Sequence, residues 1–288
     1  MQLVYLNGDY LPLDQARVSV LDRGFTFGDG VYEVIPVFGG SILCPDEHLR
    51  RLYNSLSAVA IRNPLKHSEW YGIFERLLDH QPTRNDCSIY IQVTRGVGER
   101  EHLYNDTLVP TVFVMCKPIQ ARDFTSGVSA ITHEDIRWKY CHIKAITLLP
   151  GVMLKKLAAA TDGSLDAILI RQGYLSEGAS SNVFIVQGRT VKTPATDGRV
   201  LAGITRDLLV RLLQEVPVGC EETPITEQEL RQADEIWLTS STIGVVPVIR
   251  LDGIPVGEAK PGCIWQEAFR LYEARKLNFA IPPGRLIG

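Results

Sequence analysis

Residues 174–184 of the chain read Tyr174-Leu175-Ser176-Glu177-Gly178-Ala179-Ser180-Ser181-Asn182-Val183-Phe184. This stretch places one carboxylate, Glu177, before a turn of small residues, and strand-like runs lie on both sides of that turn. A glutamate at such a turn is typical of a solvated loop, but its carboxylate could also face into a cleft. The position of Glu177 leaves both interpretations open.

Upstream of this turn, Lys144 lies in the largely apolar segment Tyr140-Cys141-His142-Ile143-Lys144-Ala145-Ile146. Apolar surroundings lower the pKa of an ammonium group, and the neutral amine is the nucleophile that Schiff-base chemistry needs. A lone lysine more often keeps its ammonium in water and buries only its aliphatic stem. The segment therefore indicates a candidate catalytic lysine without deciding the matter.

Two segments downstream have residue types that can hold an anion such as phosphate. Leu201-Ala202-Gly203-Ile204-Thr205-Arg206-Asp207 combines a glycine turn with a threonine in the first turn of a helix, and N–H groups at a helix start bind anions. Thr239-Ser240-Ser241-Thr242 places four hydroxyl side chains after an apolar run. Each segment also has an ordinary interpretation, as a helix N-cap and as a capped loop.

The whole chain has the composition of an ordinary globular protein. Its 288 residues are 45% hydrophobic and 22% charged, which favours one large domain or two modest ones. The net charge of −3 argues against nucleic acid or an anionic membrane as the main partner. No apolar run approaches the ~20 residues that span a bilayer, and the N-terminus lacks the pattern of a signal peptide. Six scattered cysteines favour reduced thiols in a cytoplasmic protein and no metal site.

Hydrophobic periodicity predicts an α+β protein of two domains. We expect a small N-terminal domain over residues 1–117, a linker over 118–127 that is rich in polar residues with Pro118 and Gly127, and a large C-terminal domain over 128–288. The predicted helices span 46–60, 68–78, 148–160, 204–214, 226–233 and 264–274. The predicted strands include 3–6, 10–13, 31–38, 88–94, 109–116, 128–132, 167–171 and 182–186.

Taken together, the motifs resemble those of the fold-type IV pyridoxal-phosphate enzymes. That family includes D-amino-acid aminotransferases, branched-chain aminotransferases and aminodeoxychorismate lyases. The resemblance covers residues 22–251. Coincidence is improbable because several motifs occur in the family's order and with its spacing. The motifs are Asp22-Arg23-Gly24 with Phe27-Gly28-Asp29-Gly30-Val31-Tyr32-Glu33, Glu47-His48-Leu49-Arg50-Arg51-Leu52, the Lys144 segment, Glu177 to Phe184, and Gly203-Ile204-Thr205-Arg206.

The resemblance implies a small N-terminal α/β domain and a larger C-terminal β-barrel-like domain with helices, with a pyridoxal 5′-phosphate site at the domain interface. It implies that Lys144 is the Schiff-base lysine and proton shuttle. Glu177 would keep the pyridine nitrogen protonated, so that the ring accepts electrons. Leu201 would pack against the ring. The implied phosphate contacts are Arg51, Ile204, Thr205, Ser241 and Thr242.

Two sequence details bear on these implied roles. Arg50 is the alternative to Arg51 as the arginine that contacts the phosphate. Arg51 is favoured because it directly precedes Leu52, as in the family's Glu-His-x-x-Arg-Leu pattern. Next to the lysine, His142 replaces a frequent acidic residue and Ala145 replaces a frequent serine. These departures bear on the rate of proton transfer and not on cofactor attachment.

A further element separates the members of the family. Arg100-Glu101-His102 resembles the Arg-x-His element of D-amino-acid aminotransferases, in which the arginine and histidine reach across a homodimer interface and bind the substrate α-carboxylate with a tyrosine, here Tyr32. An arginine fork and a phenol suit a carboxylate. Without the resemblance, the loop is typical of a solvated charged loop. The resemblance favours transamination of a D-amino acid such as D-alanine with a 2-oxo acid such as 2-oxoglutarate or pyruvate.

Three alternatives remain open at this stage. Aminodeoxychorismate lyases commonly carry Phe-Thr-Thr where this chain has Tyr32-Glu33-Val34. Branched-chain L-amino-acid aminotransferases usually carry a longer N-terminal region and lack the Arg-x-His pair. A carrier that binds the cofactor without turnover would need only the phosphate contacts, so the presence of both Lys144 and Glu177 favours an enzyme.

Overall fold

A computed structural model describes residues 2–81, 86–120 and 122–282 of the chain. The strands are β1 (Leu3–Leu6), β2 (Asp9–Pro12), β3 (Gly30–Phe38), β4 (Ser41–Leu43), β5 (Cys87–Thr94), β6 (Thr111–Pro118), β7 (Val128–Glu134), β8 (Asp166–Arg171), β9 (Tyr174–Gly178), β10 (Asn182–Gln187), β11 (Thr190–Thr193), β12 (Gly219–Glu222), β13 (Glu235–Ser240), β14 (Gly244–Leu251), β15 (Ile254–Pro255) and β16 (Ala280–Ile281).

The helices are α1 (Arg23–Phe27), α2 (Pro45–Ala58), α3 (His67–Asp79), α4 (Leu149–Ala160), α5 (Ile204–Leu213), α6 (Glu227–Arg231) and α7 (Cys263–Arg275). Every helix predicted from periodicity is confirmed. Among the residues described, no helix combines the length and the apolar character that crossing a membrane requires.

The chain divides into two compact units. The first contains the described parts of Met1–Gln120, Ile143–Thr147 and Leu277–Gly288. Its sheet has seven strands in the order β16-β4-β3-β5-β6-β1-β2, and all neighbours are antiparallel. The side chains Leu49, Leu52 and Leu56 of α2 are buried in the core that this sheet forms, and each contributes about 1.5–3 kcal/mol by burial.

This division differs from the predicted boundaries at two segments. Residues 143–147 and 277–282 belong to the first unit, although both follow the predicted linker. The reason is backbone pairing: Val31 of β3 forms an antiparallel bridge with Ala145, and β16 pairs with β4. Such pairing joins segments that are distant in sequence, and local periodicity carries no signal for it.

The second unit contains the described parts of Ala121–His142 and Leu148–Lys276. Its strands follow the order β12-β11-β10-β13-β14-β7-β8-β9, and β15 pairs with β14. Only residues 179–181 connect β9 to β10, so these strand ends lie at most about 15 Å apart. In a flat sheet, five strand spacings would separate them by about 24 Å. The sheet therefore curls, as expected for a barrel-like domain, and the predicted α+β fold class is confirmed.

Candidate active site

The segment that carries Lys144 lies along the first residues of β3. The Tyr32 N–H donates to the Lys144 carbonyl at 2.9 Å, and the Ile146 N–H donates to the Gly30 carbonyl at 3.0 Å. A Cβ atom on Gly30 would lie 2.7 Å from the Val93 carbonyl oxygen, which explains the glycine at this crossing of three backbone segments. The segment is therefore fixed by main-chain hydrogen bonds.

The amine of Lys144 lies over an aromatic ring. Its Nζ is 4.2 Å from the centroid of the Tyr32 ring, and its backbone N–H donates to the Ser55 hydroxyl at 3.2 Å. The neighbours Ile143 and Ala145 are buried, so the side chain leaves the backbone from apolar surroundings. The ring face attracts the ammonium form and orients the amine.

A buried carboxylate, Glu33, lies beside this lysine segment on β3. Arg51 donates from Nε to Oε1 at 2.7 Å and from Nη2 to Oε2 at 2.9 Å. His48 Nδ1 lies 2.9 Å from Oε2. Burial acts to raise the pKa of Glu33, but the Arg51 guanidinium and the His48 hydrogen bond outweigh it and hold this pKa far below its usual range. Glu33 is therefore ionised at neutral pH.

His48 is fully buried on α2, next to Glu33. Burial lowers its pKa, and the charges of Arg51 and Lys144 act in the same direction, against the raising effect of Glu33. The ring is therefore neutral at neutral pH, with the proton assigned to Nδ1, which faces the carboxylate. Its Nε2 has no hydrogen-bond partner among the described residues.

In the second unit, Glu177 lies on β9 with its side chain buried. Arg137 Nη1 donates to its Oε1 at 2.6 Å, and Asn182 Nδ2 and the Leu201 N–H donate to its Oε2 at 3.1 and 3.0 Å. Burial raises the pKa of this carboxyl, and the opposing Arg137 charge does not fully offset it. The solvated alternative weighed from the sequence is wrong: Glu177 is 4% exposed.

Arg137 and Asp135, which follow β7, were not singled out by the sequence. Arg137 binds Asp135 with two nitrogens, Nε at 2.9 Å and Nη2 at 3.0 Å. Because forty positions separate Arg137 from Glu177, the sequence does not show that they pair. Charged residues at strand ends are common, so their presence alone does not indicate a site. The only available signal was the Asp-x-Arg spacing directly after an apolar strand.

The proposed phosphate-binding residues of the second unit meet at one end of its sheet. Asn182 begins β10, pairs with Thr239 near the end of β13, and donates to the Leu201 carbonyl at 2.9 Å. A Cβ atom on Gly203 would lie 1.9 Å from Asn182 Oδ1, so only glycine fits before α5. Ile204 and Thr205 begin α5, whose N-terminus has no side-chain cap within the described chain. Ser241 and Thr242 lie in the turn between β13 and β14.

The Arg-x-His element lies against an aromatic ring in the first unit. The Arg100 guanidinium carbon is 5.4 Å from the centroid of the Phe27 ring, and the His102 and Phe27 ring centroids are 5.5 Å apart. Within the described part of the chain, neither Arg100 nor His102 has a hydrogen bond, ion pair or ring contact with Tyr32.

The structure thus groups the residues singled out by the sequence into three sets. Lys144 lies over Tyr32, and its charge acts on His48, which binds Glu33 together with Arg51. Arg100 and His102 lie on Phe27, and Glu177, Leu201 and the start of α5 lie together around Asn182. Glu33, His48, Ser55, Asn182, Arg137 and Asp135 complete these sets, and sequence reasoning gave none of them a role.

Comparison with known proteins identifies similar sequences and folds. Residues 30–251 match the family described as Amino-transferase class IV. The D-alanine aminotransferase of Bacillus licheniformis is 39% identical over 261 residues, 90% of this chain and 92% of that protein. The D-alanine aminotransferase of Staphylococcus aureus (strain MW2) is 34% identical over 278 residues, 94% of this chain and 98% of that protein.

Solved structures share the fold at lower sequence identity. The branched-chain aminotransferase of Thermoproteus uzoniensis with norvaline superposes with a TM-score of 0.87 at 23% identity, covering 98% of this chain and 99% of that one. The branched-chain amino acid aminotransferase of Escherichia coli gives a TM-score of 0.85 at 22% identity, covering 96% and 94%. The fold expected from the resemblance is confirmed.

Proposed function

Because the chain belongs to the class IV aminotransferase family, we propose that it transfers the amino group of a D-amino acid such as D-alanine to a 2-oxo acid such as 2-oxoglutarate or pyruvate. Pyridoxal 5′-phosphate is the cofactor. The choice of substrate is supported by relatives that are D-alanine aminotransferases and align with nine tenths of the chain.

The donor set of the protein fits this cofactor. Lys144 offers an amine in apolar surroundings, Glu177 offers a buried carboxylate for a protonated ring nitrogen, and the uncapped start of α5 offers N–H groups for a phosphate. When bound, the cofactor supplies a ring that accepts the electrons left at the substrate Cα when its proton is removed.

The chain's own residues then have distinct roles. Lys144 would hold the cofactor through its amine, and the free amine would carry the proton from the substrate Cα to C4′ of the cofactor. We assign the phosphate to Arg51, Ile204, Thr205, Ser241 and Thr242, and the face of the ring to Leu201. We assign the substrate carboxylate to Tyr32, Arg100 and His102.

The D-amino-acid proposal is carried by the D-alanine aminotransferase relatives, and the structural observation that accompanies it is the pair Arg100 and His102. Both lie on one ring, Phe27, and neither has a carboxylate partner among the residues described. An arginine and an imidazole without an acidic partner, held side by side, are suited to bind a substrate carboxylate.

Transamination with separate donors tests the proposal. Purified protein with pyridoxal 5′-phosphate and D-alanine is expected to form glutamate from 2-oxoglutarate, and K144A is expected to abolish this while retaining the fold. K139A is the matched control, because Lys139 is exposed and close in sequence. Glutamate from L-leucine but not from D-alanine would identify a branched-chain enzyme. Pyruvate and 4-aminobenzoate from aminodeoxychorismate would identify a lyase.

We also propose that the protein is a cytoplasmic homodimer in which Arg100 and His102 serve the partner's site. The homodimer follows the family pattern, and Phe25, Leu103 and Val109 expose large apolar surface near this loop, at 77%, 90% and 71%. The cytoplasmic location is supported by the six cysteines, all of which are free.

Mixing two inactive variants tests this arrangement. K144A and R100A/H102A are each expected to have little activity. Mixed subunits allowed to exchange should recover about one quarter of wild-type activity, because half of the dimers are mixed and each of these has one intact site. No recovery, with subunit exchange shown by mass spectrometry, would place Arg100 and His102 in the site of their own subunit.

A further inference from the structure

Among the residues described, every group that is hydrogen-bonded to the Glu177 carboxylate is a donor. Its three partners are the Arg137 guanidinium, the Asn182 amide and the Leu201 N–H. The Asn182 amide is oriented by a second bond, from Nδ2 to the Leu201 carbonyl at 2.9 Å, so its NH₂ faces Glu177. A neutral carboxylic acid would need an acceptor for its proton, and none of these three groups provides one. The surroundings therefore suit the ionised form.

Burial works against that form. Glu177 is 4% exposed, and loss of hydration raises the pKa of its carboxyl. Among its three donors, only Arg137 carries a charge. Arg137 is therefore the group that offsets most of the cost of keeping Glu177 ionised.

A second carboxylate holds Arg137 in place. Asp135 binds two of its nitrogens and also pairs with Arg171 at 2.8 Å and with the Ser176 hydroxyl at 2.9 Å. Its charge opposes the effect of Arg137, because it raises the pKa of Glu177. The Cys141 thiol, 3.9 Å from Arg171, is a further titratable neighbour of this cluster.

We propose that Arg137 is a positioning residue that keeps Glu177 ionised, so that the proton shared by Glu177 and the pyridine nitrogen of the cofactor resides on nitrogen. The inference rests on the proposed function. Without Arg137, the same proton moves to a Glu177 oxygen, the ring loses its positive charge, and it becomes a poorer acceptor of the Cα electron pair. Removal of Asp135 has the opposite effect on the proton.

The position of this proton is measured directly in the holoenzyme. Enzyme reconstituted with pyridoxal 5′-phosphate labelled with ¹⁵N in the ring gives a ring-nitrogen chemical shift that separates pyridinium from neutral pyridine. Wild type and D135N are expected to show pyridinium, and R137M is expected to shift toward neutral pyridine. R137M should also lower kcat about tenfold, the effect of one pKa unit, with KM little changed. R137K, which keeps the positive charge, should lie between R137M and wild type in both the ring-nitrogen chemical shift and kcat.

R171M is the matched control, because Arg171 pairs with Asp135 but not with Glu177. It should leave the ring-nitrogen signal unchanged. A pyridinium signal in R137M equal to wild type, or a shift of D135N toward neutral pyridine, overturns the inference. If R137M does not fold, R137K and D135N still decide it, because R137K should shift partly toward neutral pyridine whereas D135N should remain pyridinium. Wild-type protein that binds no pyridoxal 5′-phosphate contradicts the proposed function instead.

Discussion

Two buried glutamates, Glu33 and Glu177, pair with arginines in different ways, and the pKa values of the two carboxyls move in opposite directions. Glu33 receives two bonds from Arg51 and one from His48, and its pKa is lowered. Glu177 receives one bond from Arg137, and its pKa is raised. The two side chains are almost equally inaccessible, at 0% and 4% exposure, so burial does not explain the difference.

The difference lies in how each arginine is shared. Arg51 gives both bonds of its fork to Glu33, whereas the fork of Arg137 goes to Asp135 and a single nitrogen reaches Glu177. A bidentate pair offsets the desolvation of a carboxylate better than a single bond from a guanidinium that a second carboxylate already neutralises. Glu33 is thus suited to a fixed structural charge, and Glu177 to a charge that a bound ligand adjusts.

The largest expected effect is that of E177Q on catalysis. We expect kcat for D-alanine to fall about 10²–10³-fold, because a neutral amide does not stabilise a protonated ring nitrogen. The unfolding free energy should change less than in E33Q, since Arg137 keeps Asp135 as a partner. Steady-state kinetics and urea unfolding measure the two quantities, and E177Q with kcat within threefold of wild type would contradict the role of Glu177.

The second effect is that of E33Q on stability. The neutral amide removes the negative charge that faces the buried Arg51 guanidinium, and we expect a loss of about 3–5 kcal/mol in the free energy of unfolding. E273Q is the control, because Glu273 is exposed and pairs with Lys276 at 2.7 Å, a surface contact worth less than about 1 kcal/mol. Equal losses of unfolding free energy in E33Q and E273Q would show that the buried Glu33–Arg51 pair contributes no more to stability than a surface pair.

The pH dependence of stability should separate the two carboxyls. Both have an ordinary pKa of 4.5. Because the pKa of Glu33 is lowered by folding, its contribution is present above pH 4.5 and is lost as the pH falls through the lower folded value. The pKa of Glu177 is raised, so its contribution is present below pH 4.5 and is lost as the pH rises through the higher folded value.

Urea unfolding at several pH values measures these opposite slopes. E33Q should lose less stability than wild type on acidification below pH 4.5, and E177Q should lose less than wild type as the pH rises above 4.5. Each unit of pKa shift corresponds to about 1.4 kcal/mol. For each variant, the difference from wild type in unfolding free energy is plotted against pH. Slopes of the same sign for E33Q and E177Q would contradict the comparison of the two glutamates.

The smallest effect is expected for R51K. The lysine keeps a positive charge for Glu33 but has fewer N–H donors to offer a second anion, so the dissociation constant of pyridoxal 5′-phosphate should rise about tenfold. R50K is the matched control, because Arg50 is exposed on the neighbouring position of α2 and should leave the constant unchanged. Equilibrium dialysis measures both, and a larger effect of R50K would make Arg50 the phosphate ligand.

Local pattern was enough to predict much of the fold. The apolar stripe of residues 204–214 predicts α5, which spans Ile204–Leu213, and Asn7-Gly8 predicts the turn between β1 and β2, where both residues have positive φ. β14 was not predicted, because Pro247 interrupts its apolar run. β16 has only two residues, and its pairing with β4 gives no local signal.

The candidate site shows the same limit. Lys144 and Glu177 stand in motifs with recognisable neighbours, so the sequence identifies both as candidates. Their electrostatic partners come from distant positions: Arg51 is 18 residues from Glu33, and Arg137 is 40 residues from Glu177. Whether an arginine binds with its fork or with one nitrogen depends on tertiary packing, which no spacing encodes.

The pairing of β16 with β4 has a consequence for synthesis on the ribosome. Domains usually fold in the order in which they emerge, from the N-terminus onward. Here the first unit lacks its edge strand and the Lys144 segment until residues 143–147 and 280–281 have been translated, whereas all of the second unit has emerged by Lys276. The second unit can therefore complete its structure first, and a nascent chain halted after Lys276 would carry an unfinished N-terminal sheet.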